Sequence, residues 1–358
     1  VMIVKQQSMS FLQLFVEMRG SIVPAILPHI FASASLGVIA CMIIHERMFD
    51  EHAFKISLGP FTALGVAISL FLGFHNNASY NRWWEARILW GNQIIVTRDI
   101  TRFLLGTISG DVTNVDDIET SNISPTIHES NVESGENKKL FVMNSSKGMS
   151  KKGCVFNWKE NIVRLCIAQT HAFRHQMRPN CKMDGTNTAL CDRNRFLSKG
   201  DQAYLGKCKN PANSILLMAA KVLGEAHTYG KIDTYSMIHV QNQLDSLCNI
   251  QTACERIHNT SMPLAYSLLV NRTSVLYVVL IPFAIAGLAG WWTPVFTATV
   301  AYTFFGLDQL AKEIQEPFRD RPMCLALSAM SRVVEADCLE AMGLTAPDYL
   351  KPQNTILM

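Results

Sequence analysis

Four long apolar runs set the pattern of this chain, each bounded by polar or glycine- and proline-containing stretches. The first covers Ile22 to Ile44 and is followed by His45-Glu46-Arg47. The second, Ser57 to Phe74, is uncharged and opens around Gly59-Pro60. The third and fourth run roughly from Thr273 to Ala289 and from Trp292 to Leu307. A helix rises about 1.5 Å per residue, so each run is near the length that crosses a hydrocarbon core of about 30 Å. Between Arg272 and Asp308 there is no Asp, Glu, Lys or Arg. That stretch is too long for one crossing and predicts a hairpin of two helices. Gly287, Gly290 and Trp291-Trp292-Thr293-Pro294 mark its turn. Thr293 is expected as the N-cap of the fourth helix with Pro294 at its first position, where a missing N–H costs nothing. The tryptophans suit a membrane–water interface.

The first run also has features of a secretory leader. Lys5 and Arg19 precede it, and Ala32-Ser33-Ala34 resembles a small-residue cleavage site. A leader's apolar core spans only about 7–15 residues, however, whereas this run contains Pro24, Pro28 and His29 and stays apolar to Ile44. A retained membrane helix is the expectation.

The middle of the chain changes character. Residues 84–105, 159–178 and 213–258 repeat apolar positions at three and four with many polar positions between, which predicts water-exposed helices. Residues 106–153 are rich in Ser, Asn, Gly, Glu and Lys and read as a disordered insert. A second polar loop runs from Pro179 to Pro211. No strand-like alternation or internal repeat occurs, so the expected class is an all-α membrane protein. Its segments are 1–21 (cytosolic), 22–74 (two membrane helices), 75–262 (helical cytosolic domain), 263–307 (two more membrane helices) and 308–358 (cytosolic).

Within the second run, Val66, Leu70 and Phe74 recur every four residues as one apolar stripe. Gly59, Ala63 and Ala67 form a neighbouring stripe of small residues. Small residues let membrane helices approach closely. Two arrangements fit this spacing: a lipid-facing stripe beside a packing seam, or a ring of large apolar side chains from several subunits around an axial pore, which closes by dewetting. The run then continues without a proline into His75, Asn76, Asn77, Asn81 and Arg82. Asn77 and Asn81 would sit below Phe74 as amide dipoles in a wetter vestibule. The alternative is a polar helix end at the headgroups, with Trp83 and Trp84 as interfacial anchors.

Composition sharpens the class. Of 358 residues only 17% are charged, against about 25% in soluble domains. The net charge is +3 and no long basic tract occurs, so nucleic acid is not an expected partner. Arginines follow the second run (Arg82, Arg87, Arg98, Arg102), while the links between runs one and two and between three and four carry little or no net positive charge. The positive-inside rule therefore places both termini and the middle region in the cytosol. Of ten cysteines, Cys41 sits in the first apolar run and the rest lie in these polar regions; all read as reduced thiols. No nucleophile–base pair or phosphate loop marks an enzyme, and no cofactor is implied. His171 and His175, four apart on a helix with Cys181, Cys191 and Cys208 downstream, lack the close cysteine pairs of a structural zinc site, so no metal is expected. Arg272, at the start of the third run, is read as lying at the cytosolic boundary with its head in the headgroups. Asp308 and Lys312 form an i,i+4 pair read as a solvated helix face.

Two long stretches, "FLGFHNNASYNRWWEARILWG" (residues 71–91) and "IPFAIAGLAGWWTPVFTATVAYTFFGLDQLAKEIQEPF" (residues 281–318), resemble the bestrophin family of ion channels, and its bacterial and fungal branch most closely. "IAQTHAFRHQMRP" and "CERIHNTSMPLAYSLLVNRT" fit the same family. The resemblance implies a homopentamer with four membrane helices per subunit and a helical cytosolic vestibule in a lipid bilayer, either a plasma membrane or a bacterial inner membrane. It places the narrow apolar neck at Val66, Leu70 and Phe74, the vestibule below it at Asn77 and Asn81, and a second, cytosolic aperture at Ile238. It implies passage of monovalent ions, with anions such as chloride favoured over cations. A secondary transporter or a non-conducting membrane scaffold are the rival classes. The neck departs from the mostly phenylalanine necks of animal members. The acidic calcium-clasping cluster of those members is replaced by "EPFRDRPMCLAL", which supplies too few carboxylates for the roughly six oxygen ligands calcium takes. Activation by calcium is therefore not expected.

Overall fold

The structure is a computed structural model that describes residues 2–3, 21–45, 57–108, 158–178, 189–321, 323–350 and 356–357. Ten α-helices carry these residues: α1 (Val23–His45), α2 (Leu58–Arg102), α3 (Trp158–Met177), α4 (Ala189–Asn194), α5 (Lys199–Leu205), α6 (Pro211–Thr228), α7 (Thr234–Asn259), α8 (Leu264–Ala289), α9 (Thr293–Ile314) and α10 (Leu327–Ala341). Met2–Ile3 and Ile356–Leu357 pair as a two-residue antiparallel ribbon. The bulk of the expected 106–153 insert lies outside the described residues.

The longest element organises the rest. α2 has 45 residues, about 67 Å of helix, or roughly twice a hydrocarbon core. It starts where Ser57 Oγ accepts from the Gly59 N–H and runs unbroken through the polar stretch, ending in a π-helical turn at Phe103–Thr107. Its apolar half packs on α8 and α9 through Ile68, Leu72, Val270, Tyr277, Ile281 and Phe304. Its polar half enters a larger core with α3, α6, α7 and α10, where the buried Trp90 ring lies parallel to Phe173 at 5.0 Å. α7 runs antiparallel beside it: Arg256 meets Glu85, and His239 at the other end meets the Phe103 ring. Among the described residues three apolar stretches are long enough to cross a membrane: Val23–Ile44, the start of α2, and Leu264–Ile314, which contains both α8 and α9.

Several expected boundaries shift, each for a local reason. The third apolar helix begins at Leu264, nine residues before the apolar run at Thr273, with Pro263 at its N-cap and Arg272 exposed within it. The fourth extends beyond Leu307 to Ile314, through the Asp308–Lys312 turn. Thr293 is not its N-cap. Gly290–Trp292 form a tight 3-10 turn with Gly290 at φ +52°, so Thr293 is already helical and its hydroxyl donates to Gly290 O at 2.7 Å. Pro294 is consequently the second helical residue. The 213–258 helix is two helices. Gly230 takes φ +67°, and the Lys231 and Gly230 N–H groups close onto Ala226 O and His227 O in a Schellman arrangement. Asp233 then caps α7 by accepting from Ser236 N.

The 179–211 segment is not a plain polar loop. It carries α4 and α5 and docks through charge: the buried Arg174 donates to Asp192 Oδ2 at 2.7 Å, and Arg195 lies 3.3 Å from the buried Glu335. Glu335 is also 3.3 Å from Arg332 and from His171 Nε2. His171 itself is fully buried and stacked on Phe196. Its neighbour is therefore a carboxylate in an arginine cluster. Among the described residues no group of three or more His, Cys, Asp or Glu side chains is arranged to hold a metal ion. Cys181 and the Cys191 side chain lie outside the described residues, and Cys208 is a free thiol.

Among the membrane runs, α1 and α9 approach closely at the backbone. A Cβ on Gly37 would come within 2.8 Å of Pro294 Cα and of Thr297 Oγ1. Beside it, Ser33 Oγ donates to Thr297 O at 3.1 Å. Such backbone approach is how small residues join membrane helices without a hydrophobic driving force. Gly37→Val should therefore overpack this contact, costing about 1–3 kcal/mol and lowering the thermal midpoint in detergent by several degrees. An unchanged midpoint would contradict the close approach.

The buried cluster makes a second prediction. Burial holds the His171 imidazole below its ordinary value. Burial opposes ionisation of Glu335 too, but His171, Arg332 and Arg195 outweigh it and hold that carboxyl below its ordinary value. An unfolded chain protonates its histidines near pH 6.5 while folded His171 stays neutral, so His171 costs stability as pH falls through that value. Glu335 adds its loss only at lower pH, below about 4.5. The thermal midpoint should fall between pH 7 and pH 5, and fall less in His171→Gln. An equal fall in that variant would be the wrong outcome.

Candidate functional site: the exposed face of the long helix

A helix turns about 100° per residue, so Val66, Leu70, Phe74, Asn77, Asn81 and Glu85 all lie within an arc of about 100° on α2. All six are exposed in the single chain, with Val66 67%, Leu70 56% and Phe74 57% accessible. Gly59 and Ala63 fall on this same arc, one to two turns before Val66, and are exposed as well. The small residues thus extend the apolar stripe instead of forming a seam beside it. The seam within the chain lies on the opposite side, where a Cβ on Gly65 would sit 2.6 Å from Tyr277 Oη and where Ile68, Leu72, His75 and Ser79 are buried. One face of a single unbroken helix therefore reads small, then large and apolar, then amide, with the exposed Trp84 and then Glu85 following.

The polar run divides by direction. Asn77 and Asn81 are on the exposed face, whereas Asn76 donates back to Leu72 O at 2.9 Å. Arg82 turns to the packed side, where it donates to Ile257 O at the end of α7 and to Gln315 O after α9. Trp83 Nε1 donates to Met323 O at 3.0 Å, so it ties α2 to the segment after α9, while Trp84 is 49% exposed. Arg98 pairs with Asp337 at 2.6 Å. Two of the arginines that follow the second apolar run, Arg82 and Arg98, are thus bonded within the chain. The partner of Glu85 is Arg256 of α7, at 2.6 Å.

Ile238 is 50% exposed and sits in the second turn of α7. Its neighbour His239 lies at the level of Phe103, about 43 Å along α2 from Phe74. The fold therefore places Ile238 at the far end of the long helix from Val66, Leu70 and Phe74. Arg272 is exposed on α8 between the outward-facing Leu268, Leu269 and Leu276, about 12 Å inside the helix start. Asp308 is not on a solvated face: it is buried, receives Asn271 Nδ2 at 2.9 Å and pairs with Lys312 at 2.5 Å. Sequence reasoning had no signal for the Glu85–Arg256 or Arg174–Asp192 pairs, whose partners lie far apart in the chain or in a segment with no apolar periodicity.

A family model described as "Bacterial/Fungal Bestrophin protein" matches residues 2–127 and 142–340. A voltage-dependent anion channel-forming protein of Mesorhizobium japonicum is 32% identical over 96% of this chain and 94% of its own length. A protein of the same description from Salmonella typhi is 29% identical over 95% of this chain and 93% of its own. Among solved structures, a bacterial bestrophin homologue from Klebsiella pneumoniae superposes with a TM-score of 0.70 at 26% identity, covering 89% of this chain and 99% of that one.

Proposed function

The chain belongs to the bacterial/fungal bestrophin family, and from that membership we propose that it forms a homopentameric channel for monovalent anions such as chloride. In this reading α1, α2, α8 and α9 each cross the bilayer, both termini and the 75–262 region lie in the cytosol, and five copies of α2 surround the axis. Val66, Leu70 and Phe74 form the neck, Asn77 and Asn81 line the start of the vestibule, and Ile238 narrows its cytosolic end.

The observation that carries this reading is the exposed face of α2. A stripe of large apolar side chains continues without a helix break into amides. On a lipid-facing helix the amides would lie against hydrocarbon or headgroups with no functional gain. Around an axis the same order has a use. The apolar turns make a constriction that empties of water when narrow, and the amides rehydrate an ion that has passed it. Asn side chains also offer N–H donors, which suit an anion. The neck carries no formal charge, so it controls passage and leaves the sign of the ion to the groups beyond it. The relatives' description as anion channel-forming proteins supports chloride as the permeant class.

Purified protein in planar bilayers under a potassium chloride gradient should show unitary currents reversing near the chloride equilibrium potential. Replacing Val66, Leu70 and Phe74 together by alanine should widen the neck and raise conductance or standing leak. Electrically silent, saturable uptake in the parent protein, or unchanged currents in the triple variant, would overturn the reading.

A further inference from the structure

Glu85 occupies the same arc of α2 as Asn77 and Asn81, about 16 Å beyond Phe74. It is the one carboxylate on that arc between Val66 and Ile95. Its partner comes from a different element: Arg256, in the last turns of α7, reaches it at 2.6 Å. Both side chains are substantially exposed, 46% for Glu85 and 64% for Arg256. A second guanidinium whose charge acts in the same neighbourhood, that of Arg82, is turned away and held by Ile257 O and Gln315 O.

We propose that the Glu85–Arg256 pair sets the sign of the permeating ion, with Arg256 the specificity-determining residue. This rests on the reading of α2 as the lining of the ion path. Each pair is neutral, so a ring of them leaves the inner mouth without a field that repels anions. Without Arg256, every subunit presents a bare carboxylate about 16 Å beyond Phe74, and a ring of carboxylates selects cations. Without Glu85, every subunit presents a bare guanidinium, and anions are favoured more strongly. An exposed ion pair contributes little to folding stability, so one placed between two helices suits a role in charge balance better than one in holding them together. The pair also links selectivity to geometry. α7 must stay antiparallel against α2 for Arg256 to reach Glu85, so any displacement of α7 unmasks the carboxylate.

The test compares reversal potentials of purified, reconstituted Arg256→Gln, Glu85→Gln and Arg256→Lys channels under a low-salt potassium chloride gradient, where charge screening is weakest. Arg256→Gln should lower the chloride-to-potassium permeability ratio several-fold, and Glu85→Gln should raise it. Arg256→Lys should keep the parent value, and the two shifts should shrink at high salt. Asn81→Asp, one turn closer to the neck, reports whether the face lines the path at all. If Asn81→Asp moves the reversal potential and neither Arg256→Gln nor Glu85→Gln does, the pair has no such role and the ion path stands. If none of the three moves it, or the parent protein passes no current, both the pair's role and the path are overturned.

Discussion

Everything in this fold depends on one helix satisfying its own backbone. In hydrocarbon no water is present to bond an exposed N–H or C=O, so a chain that passes from lipid into a polar interior must do so without interrupting its hydrogen-bond ladder. α2 does this for 45 residues. Because its ladder is never broken, side chains alone mark the change of surroundings, and they do so on one face in a fixed order.

The length of α2 makes its anchorage decisive. Its first half is held by apolar contact with α8 and α9 and its second half by the helical core around Trp90 and Phe173. The two halves meet where Arg82 and Trp83 donate to the carbonyls of Ile257, Gln315 and Met323. From the other side, Arg178 donates to Phe318 O, Arg319 O and Leu325 O. The turn between α9 and α10 is thus held by guanidinium and indole donors from α2 and from Arg178, the residue after α3. These bonds satisfy carbonyls that would otherwise be stranded as α9 ends, and they couple the position of α9 to that of α2. Arg82, one of the arginines that follow the second apolar run, thus fastens the apolar half of α2 to the ends of α7 and α9.

Much of this was legible in the sequence because it is periodic and local. The apolar runs located α1, α2 and the α8–α9 hairpin, and the absence of proline after Phe74 implied that the helix continues. The spacing of Val66, Leu70 and Phe74 marked a stripe, although Gly59 and Ala63 belong to the same arc, which counting in steps of four alone does not reveal. What stayed hidden depends on contacts between distant residues. Nothing near Glu85 names Arg256 as its partner, and nothing near Asp192 shows that a polar segment folds onto Arg174. Gly230 was readable as a glycine but not as the left-handed residue that splits α6 from α7, because apolar spacing continues across it. Asp308 read as solvated because its i,i+4 lysine is a common surface pattern, and only the approach of Asn271 from α8 reveals that it is buried.

The central claim is that water and ions run along one face of α2 and protein packs against the other. Single cysteines placed along the helix, in a background freed of native cysteines, test it directly. A charged, membrane-impermeant thiol reagent applied from the cytosolic side should alter current through channels carrying Asn77→Cys or Asn81→Cys. It should leave channels carrying Ser79→Cys or Ala86→Cys unaffected, since those positions are buried against the rest of the chain. Modification at Ser79 and Ala86 with no effect at Asn77 and Asn81 would show that the exposed face of α2 meets something other than the ion path.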